Sequence, residues 1–213
     1  MAMKGYRWCA GIAALWLLTA CGGGGDSGEV TALTKKQAQQ ALPDKQAMAG
    51  WREQAEPLAI KMEKIHREQA CPSKGNAGCE KARYYGTSTF RRDEKPTDVT
   101  FLIITYDSEE SARKAYDVLW DGYYGDRAGP EARTFDIGPV GDERDARFGS
   151  AGFKGEPGAV AQARVGSVVL WTLAAGLAKG TLEEDEVRDL TEVFVERAQQ
   201  AHDGKTPSAA LGD

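Results

Sequence analysis

Val99-Thr100-Phe101-Leu102-Ile103-Ile104-Thr105-Tyr106 (VTFLIITY) is apolar on both of its alternating faces. A strand of that kind lies inside a sheet rather than at its edge, because both of its surfaces need covering. The stretch before it, Arg83–Arg91 (RYYGTSTFR), is aromatic and Thr-rich. The charged turn Arg91-Arg92-Asp93-Glu94-Lys95-Pro96 lies between the two, so they read as a hairpin. Directly after it, Asp107 with Glu110 three residues on resembles a capping box. Ala112, Ala115, Tyr116 and Leu119 then keep helical spacing to Trp120, and Gly122 ends the helix.

Working outward, Leu33–Leu42 reads as a short helix ended by Pro43-Asp44. A second helix is predicted after Gly50-Trp51, with Glu56 as cap and Pro57 at the first helical position. Leu58, Met62 and Ile65 form its stripe, and Cys71-Pro72 stops it. Toward the C-terminus, Glu131–Ile137 is a strand candidate, followed by the turn 138–142. Arg144–Lys154 and Val160–Leu173 should pair through Gly155-Glu156-Pro157-Gly158, with Gly166-Ser167 marking a bulge or a tight turn. Thr181 and Glu184 open a last helix whose buried face carries Val187, Leu190, Phe194, Ala198 and Ala201. The order α-α-β-β-α-β-β-β-α argues for an α+β fold: one antiparallel sheet with helices packed mainly on one face. Residues 31–203 form this single domain, and 204–213 read as a disordered tail.

The first 30 residues carry an address. Lys4 and Arg7 precede an apolar run from Cys9 to Leu18, and Leu18-Thr19-Ala20-Cys21 follows. These are the parts of a secretory signal peptide covering 1–20, and the run is too short to span a bilayer, which needs about 20 apolar residues. A cysteine after Leu-Thr-Ala resembles the lipobox of bacterial lipoproteins. That resemblance implies a diacylglyceryl thioether on Cys21, cleavage before it, and membrane attachment through acyl chains on the extracytoplasmic face. Residues 21–30 (CGGGGDSGEV) form a flexible tether reaching roughly 15 Å. Removal of 1–20 takes Lys4 and Arg7 away and moves the net charge from −5 to −7. An acidic chain without a basic run is poorly suited to nucleic acid, whose binding rests on Lys and Arg at phosphates.

With Cys9 in the signal and Cys21 lipidated, Cys71 and Cys79 are left as a pair in an oxidising compartment, where a disulfide is the default. Their spacing matches neither redox nor zinc patterns. Two histidines, His66 and His202, have no metal-binding partner at i+4. Gly149-Ser150-Ala151-Gly152 fails the spacing of a nucleophile elbow, and there is no Walker loop or dinucleotide fingerprint. No metal site and no cofactor are therefore expected. Asp142, Glu143 and Asp145 lack the alternation of a calcium loop and read as a solvated turn. Glu183-Glu184-Asp185-Glu186 is explained by the dipole of the helix it opens.

Aromatic residues give the better lead. Trp120, Tyr123 and Tyr124 come where a helix runs into a Gly-rich loop, and Tyr84 and Tyr85 lie on a strand. Side chains of this type line small-molecule and glycan pockets, and also cover ordinary seams between sheet and helix.

Ala41-Leu42-Pro43 ahead of Gly50-Trp51, one close cysteine pair, the Phe101–Leu119 strand–helix unit, Val140-Gly141-Asp142-Glu143 and Arg164-Val165-Gly166-Ser167-Val168-Val169 resemble actinobacterial lipoproteins. These are related in layout to the extracellular sensor domain of mycobacterial Ser/Thr receptor kinases. The resemblance implies a sheet curving over helices, with a cleft suspected of binding a ligand. It brings no catalytic residue with it. The expected function is a lipid-anchored, non-enzymatic module of the bacterial envelope that binds a small ligand or a partner protein. The alternatives are a carboxylate-based glycan hydrolase, which needs two carboxylates about 5–9.5 Å apart, and a structural accessory subunit of an envelope assembly.

Overall fold

The computed structural model describes residues 32–212. Its helices are α1 (Lys35–Ala41), α2 (Lys64–Ala70), α3 (Glu109–Gly122) and α4 (Glu184–His202). The strands are β1 (Arg52–Lys61), β2 (Ala82–Arg92), β3 (Thr97–Tyr106), β4 (Arg133–Thr134), β5 (Glu143–Gly149), β6 (Gly158–Val165) and β7 (Val168–Gly176). All seven strands form one antiparallel sheet in the order β1-β2-β3-β7-β6-β5-β4. Two meanders, β1–β3 and β4–β7, meet at the β3–β7 seam. The α+β antiparallel fold expected from the sequence is the one observed. The signal segment 1–20, Cys21 and the tether 21–30 lie outside the described residues.

Both faces of the sheet are covered, because successive residues of β3 point to opposite sides. Val99, Phe101 and Ile103 pack with α1 and α4 in one core, where Phe101 meets Phe90 and Phe194 edge-on at 6.2 and 5.2 Å. Leu102, Ile104 and Tyr106 pack with α3, Trp171 and the cysteine loop in a second core. The helices thus divide between the two faces, with the longest, α4, on the first. The expectation of mainly one-sided packing under-read the second apolar face of VTFLIITY.

Two elements differ from the sequence reading. The second helix starts only at Lys64, and residues 52–61 instead form the edge strand β1. Pro57 is tolerated there because the register shifts between Ala55 and Leu58, where an edge strand needs no ladder donor. Leu58 and Ile65, expected on a buried stripe, are exposed. The long strand 160–173 is two strands, β6 and β7, joined by the tight turn at Gly166-Ser167. Gly166 has φ +52°, and a Cβ there would lie 2.5 Å from His202 Nε2.

The expected disordered tail is instead packed onto the α1–α4 core. Leu211 donates its N–H to Ala47 O (2.9 Å), the buried Arg197 donates to Ala209 O (3.2 Å), and Ala209 itself is buried. A composition rich in Gly, Ser and Ala hid these backbone bonds. Leu33, at the entry to α1, belongs to that same core.

Candidate functional site

The cysteine loop braces the helix ends that line the site, although none of its own residues is part of the lining. Cys71 and Cys79 are bonded to each other, as compartment arithmetic anticipated, and both are fully buried. Within the loop, Asn76 donates its side-chain amide to Cys71 O (2.9 Å), and Gly78 O accepts from the buried Tyr106 hydroxyl (2.8 Å). Gly78 adopts φ +89° with Leu119 so close that a Cβ would meet its Cγ at 2.7 Å, so only glycine fits. Tyr124, in the turn after α3, donates its hydroxyl to Ala70 O (2.8 Å) and stacks on Trp171 with ring centroids 4.3 Å apart. Loop, α2 and the post-α3 turn are therefore fixed to one another.

Below that turn, α3 leaves part of its sheet face uncovered. The even positions of β3 change character along the strand: Tyr106, Ile104 and Leu102 are buried, whereas Thr100 and Asp98 are half-exposed. Leu173 and Ala175 of β7 stand beside them in register. The result is a cleft of about 310 Å³ with Thr100, Leu102, Leu173 and Ala175 as floor. Its wall is made of Gln69, Tyr85, Tyr123, Tyr124 and Arg127. That volume falls at the lower end of small-molecule sites.

Of the aromatic residues singled out from sequence, Tyr85, Tyr123 and Tyr124 converge on this cleft. Trp120 does not: it is buried on the last turn of α3 with the Arg147 guanidinium 5.4 Å from its ring centroid. Tyr84 points to the opposite face of β2, pairing in register with Thr105. Burial, reinforced by the nearby Tyr123, raises the Tyr85 phenol above its usual range, so it stays protonated. Tyr123 meets Tyr124 edge-on at 5.0 Å, and its hydroxyl accepts from Arg127 Nη1 at 2.5 Å. The one carboxylate in the lining, Asp98, accepts two hydrogen bonds from Arg91, at 2.6 and 2.7 Å.

Gln69, Asp98, Thr100 and Arg127 were missed by the sequence reading. The Asp98-x-Thr100-x-Leu102 alternation was the available signal, since polar residues on one face of an otherwise buried strand mark where its cover stops.

The other candidates are structural. Arg164, nearly buried, pairs with Glu143, with Asp142 at 3.0 Å and with Glu109 at 3.3 Å, so the acidic turn is neutralised rather than solvated. Asp145 accepts from the Tyr116 hydroxyl at 3.0 Å. His66 Nδ1 lies 3.0 Å from Lys61 O. Among the described residues, no group of three or more His, Cys, Asp or Glu is placed to hold a metal ion, and no helix is long and apolar enough to cross a membrane.

Fold and cleft define an antiparallel α+β domain with a concave, tyrosine-lined site where one sheet face is left open. The chain matches no protein-family profile and no curated protein sequence. Among solved structures it is similar to the extracellular domain of PknH from Mycobacterium tuberculosis, with a TM-score of 0.54 and 9% identity. The match covers 84% of this chain and 100% of that one. At that identity the likeness is one of fold, and it bears out the resemblance to kinase sensor domains drawn from the short motifs.

Proposed function

We propose that the chain is an extracytoplasmic binding module, tethered to the membrane by a lipid on Cys21, whose cleft takes a small ligand without turning it over. The cleft is the observation that carries this reading. It is concave, and it combines a largely apolar floor with polar side chains, Tyr85 and Tyr123 among them, on its wall. Its lining offers a single carboxylate already held by Arg91, which disfavours the two-carboxylate hydrolase in that cleft. The fold shared with an extracellular domain supports the compartment, as does the cysteine bridge.

Two measurements test it. Mass spectrometry of the mature N-terminus from membranes of a bacterial host should find Cys21 first and acylated; residues 1–20 intact with an unmodified thiol would overturn the anchor. For the cleft, the full chain labelled with 3-fluorotyrosine is titrated with small organic acids, amines and sugars, followed by fluorine NMR. Resonances of Tyr85 and Tyr123, assigned through Tyr→Phe variants, should move with a saturating titrant. A titrant that binds but leaves both unmoved would place binding elsewhere.

A further inference from the structure

The proposed cleft has an unbalanced supply of hydrogen-bonding groups. Arg127 is a donor only, and among the described residues it pairs with no carboxylate; its neighbour Asp126 lies 3.4 Å from Arg147 instead. The Tyr123 oxygen already accepts from Arg127, which leaves its O–H to donate outward. The Tyr85 hydroxyl and the Gln69 side chain make no hydrogen bond among the described residues, and both line the same wall. The charged acceptor is engaged, since Asp98 is occupied twice by Arg91, and the Thr100 and Thr89 hydroxyls face each other at 3.4 Å; the Gln69 amide offers N–H donors as well as one oxygen. Opposite the donors, the floor is carbon surface from Leu102, Leu173 and Ala175, with the Thr100 hydroxyl beside it and Asp98 held by Arg91. A wall of donors with one uncompensated positive charge, set against an apolar floor, is complementary to a negatively charged, acceptor-rich group attached to an apolar body.

We infer that the ligand is an organic anion, a carboxylate or phosphate monoester, with its acidic oxygens on Arg127, Tyr123 and Tyr85 and an apolar or ring-shaped body on Leu102 and Leu173. This rests on the cleft being the binding site. The Arg127 fork suits both acids, since each presents two oxygens to parallel N–H groups. The net charge, −5 for the whole sequence and −7 without residues 1–20, does not oppose it at physiological salt, where charges beyond about 8 Å are largely screened. The positive group therefore acts locally.

The test uses the full chain in phosphatidylcholine nanodiscs, 3-fluorotyrosine labelled, with four probes that share a phenyl ring, namely phenyl phosphate, benzoate, benzyl alcohol and benzylammonium, and inorganic phosphate as the ring-free control. At least one of the two aromatic anions should bind about tenfold tighter than benzyl alcohol, as one charge-assisted contact provides. It should also shift Tyr85 and Tyr123 and bind more weakly as salt rises. Inorganic phosphate, lacking the body, should bind more weakly than phenyl phosphate. Arg127→Gln should abolish the anion preference while leaving benzyl alcohol unchanged, and Arg127→Lys should restore part of it. Arg127 is exposed, so both variants keep the fold, and a urea midpoint checks this. If benzyl alcohol or benzylammonium shifts the cleft tyrosines at concentrations as low as the anions do, the anion inference fails and the cleft reading stands. If no probe moves them, both fall.

Discussion

The bridge between Cys71 and Cys79 gives the most direct quantitative test of how the cleft wall is held. Replacing both with alanine opens a loop whose ends are 8 residues apart, and the chain-entropy model values that closure at about 2.5 kcal/mol. The rest of the loop keeps its partners in the variant. Tyr106 still donates to Gly78 O, Asn76 to Cys71 O and Tyr124 to Ala70 O, and Ala fits where two fully buried sulfur atoms stood. The loss should therefore stay close to the entropic figure rather than approach the roughly 5 kcal/mol extreme for native bridges. For a domain of this length, each kcal/mol moves Tm by about 2–4 °C, so a fall of about 5–10 °C is expected. Thermal and urea unfolding of the Cys71→Ala/Cys79→Ala chain, followed by far-UV circular dichroism beside the oxidised parent, measure the fall in Tm and the loss of free energy. A change below about 0.5 kcal/mol would refute the reasoning, because it would mean that the loop is already ordered in the unfolded chain.

Further outcomes follow from single contacts. Gly166→Ala should cost about 1–3 kcal/mol, since φ +52° and the imidazole of His202 both oppose a side chain; an unchanged urea midpoint would show that the β6–β7 turn has another conformation. Trp171→Phe removes the indole N–H that donates to Gln162 Oε1 at 2.6 Å in the buried layer, and should destabilise by about 2–4 kcal/mol in the same assay. Burial, only partly offset by the Tyr116 hydroxyl, raises the Asp145 carboxyl above its ordinary 3.8. The folded chain thus holds that proton more tightly than the unfolded chain, and the resulting stability is complete below the ordinary value and lost as pH rises through the raised one. Asp145→Asn keeps an acceptor for Tyr116, so its urea midpoint should gain on the parent between acid and neutral pH; a parallel pair of pH curves would contradict this.

The hairpin and the strand–helix unit around VTFLIITY were legible because local and global signals agree there. Alternation, charged turn and helix stripe all name the same elements. The stretch 52–61 was misread because Leu58, Met62 and Ile65 fall at helical spacing by coincidence. Pairing with β2 decided the matter, and that partner lies too far along the chain for a local pattern to reveal. The stretch 160–173 reads as one strand with a bulge or a tight turn at Gly166-Ser167, because both arms are buried on both faces and glycine is the sole punctuation; the tight turn is the alternative the structure adopts. Within the site, three of five aromatic positions were legible as a group, while their separation from Trp120 and Tyr84 depends on which face each backbone position takes. Arg127 carried no signal of its own. An arginine in a loop becomes informative only when the acids around it are seen to be engaged elsewhere.

Leu33 and Leu211 both rest on the α1–α4 side of the sheet, and the tyrosine cleft opens on the reverse. Both ends of the described domain therefore lie on the side of the sheet away from the cleft. A linker or fluorescent protein joined just after Leu211 would start on that side, with the sheet and its helix layer between it and the mouth. Capture through such a C-terminal linker would leave the mouth uncovered, which suits surface formats to testing the proposed ligand.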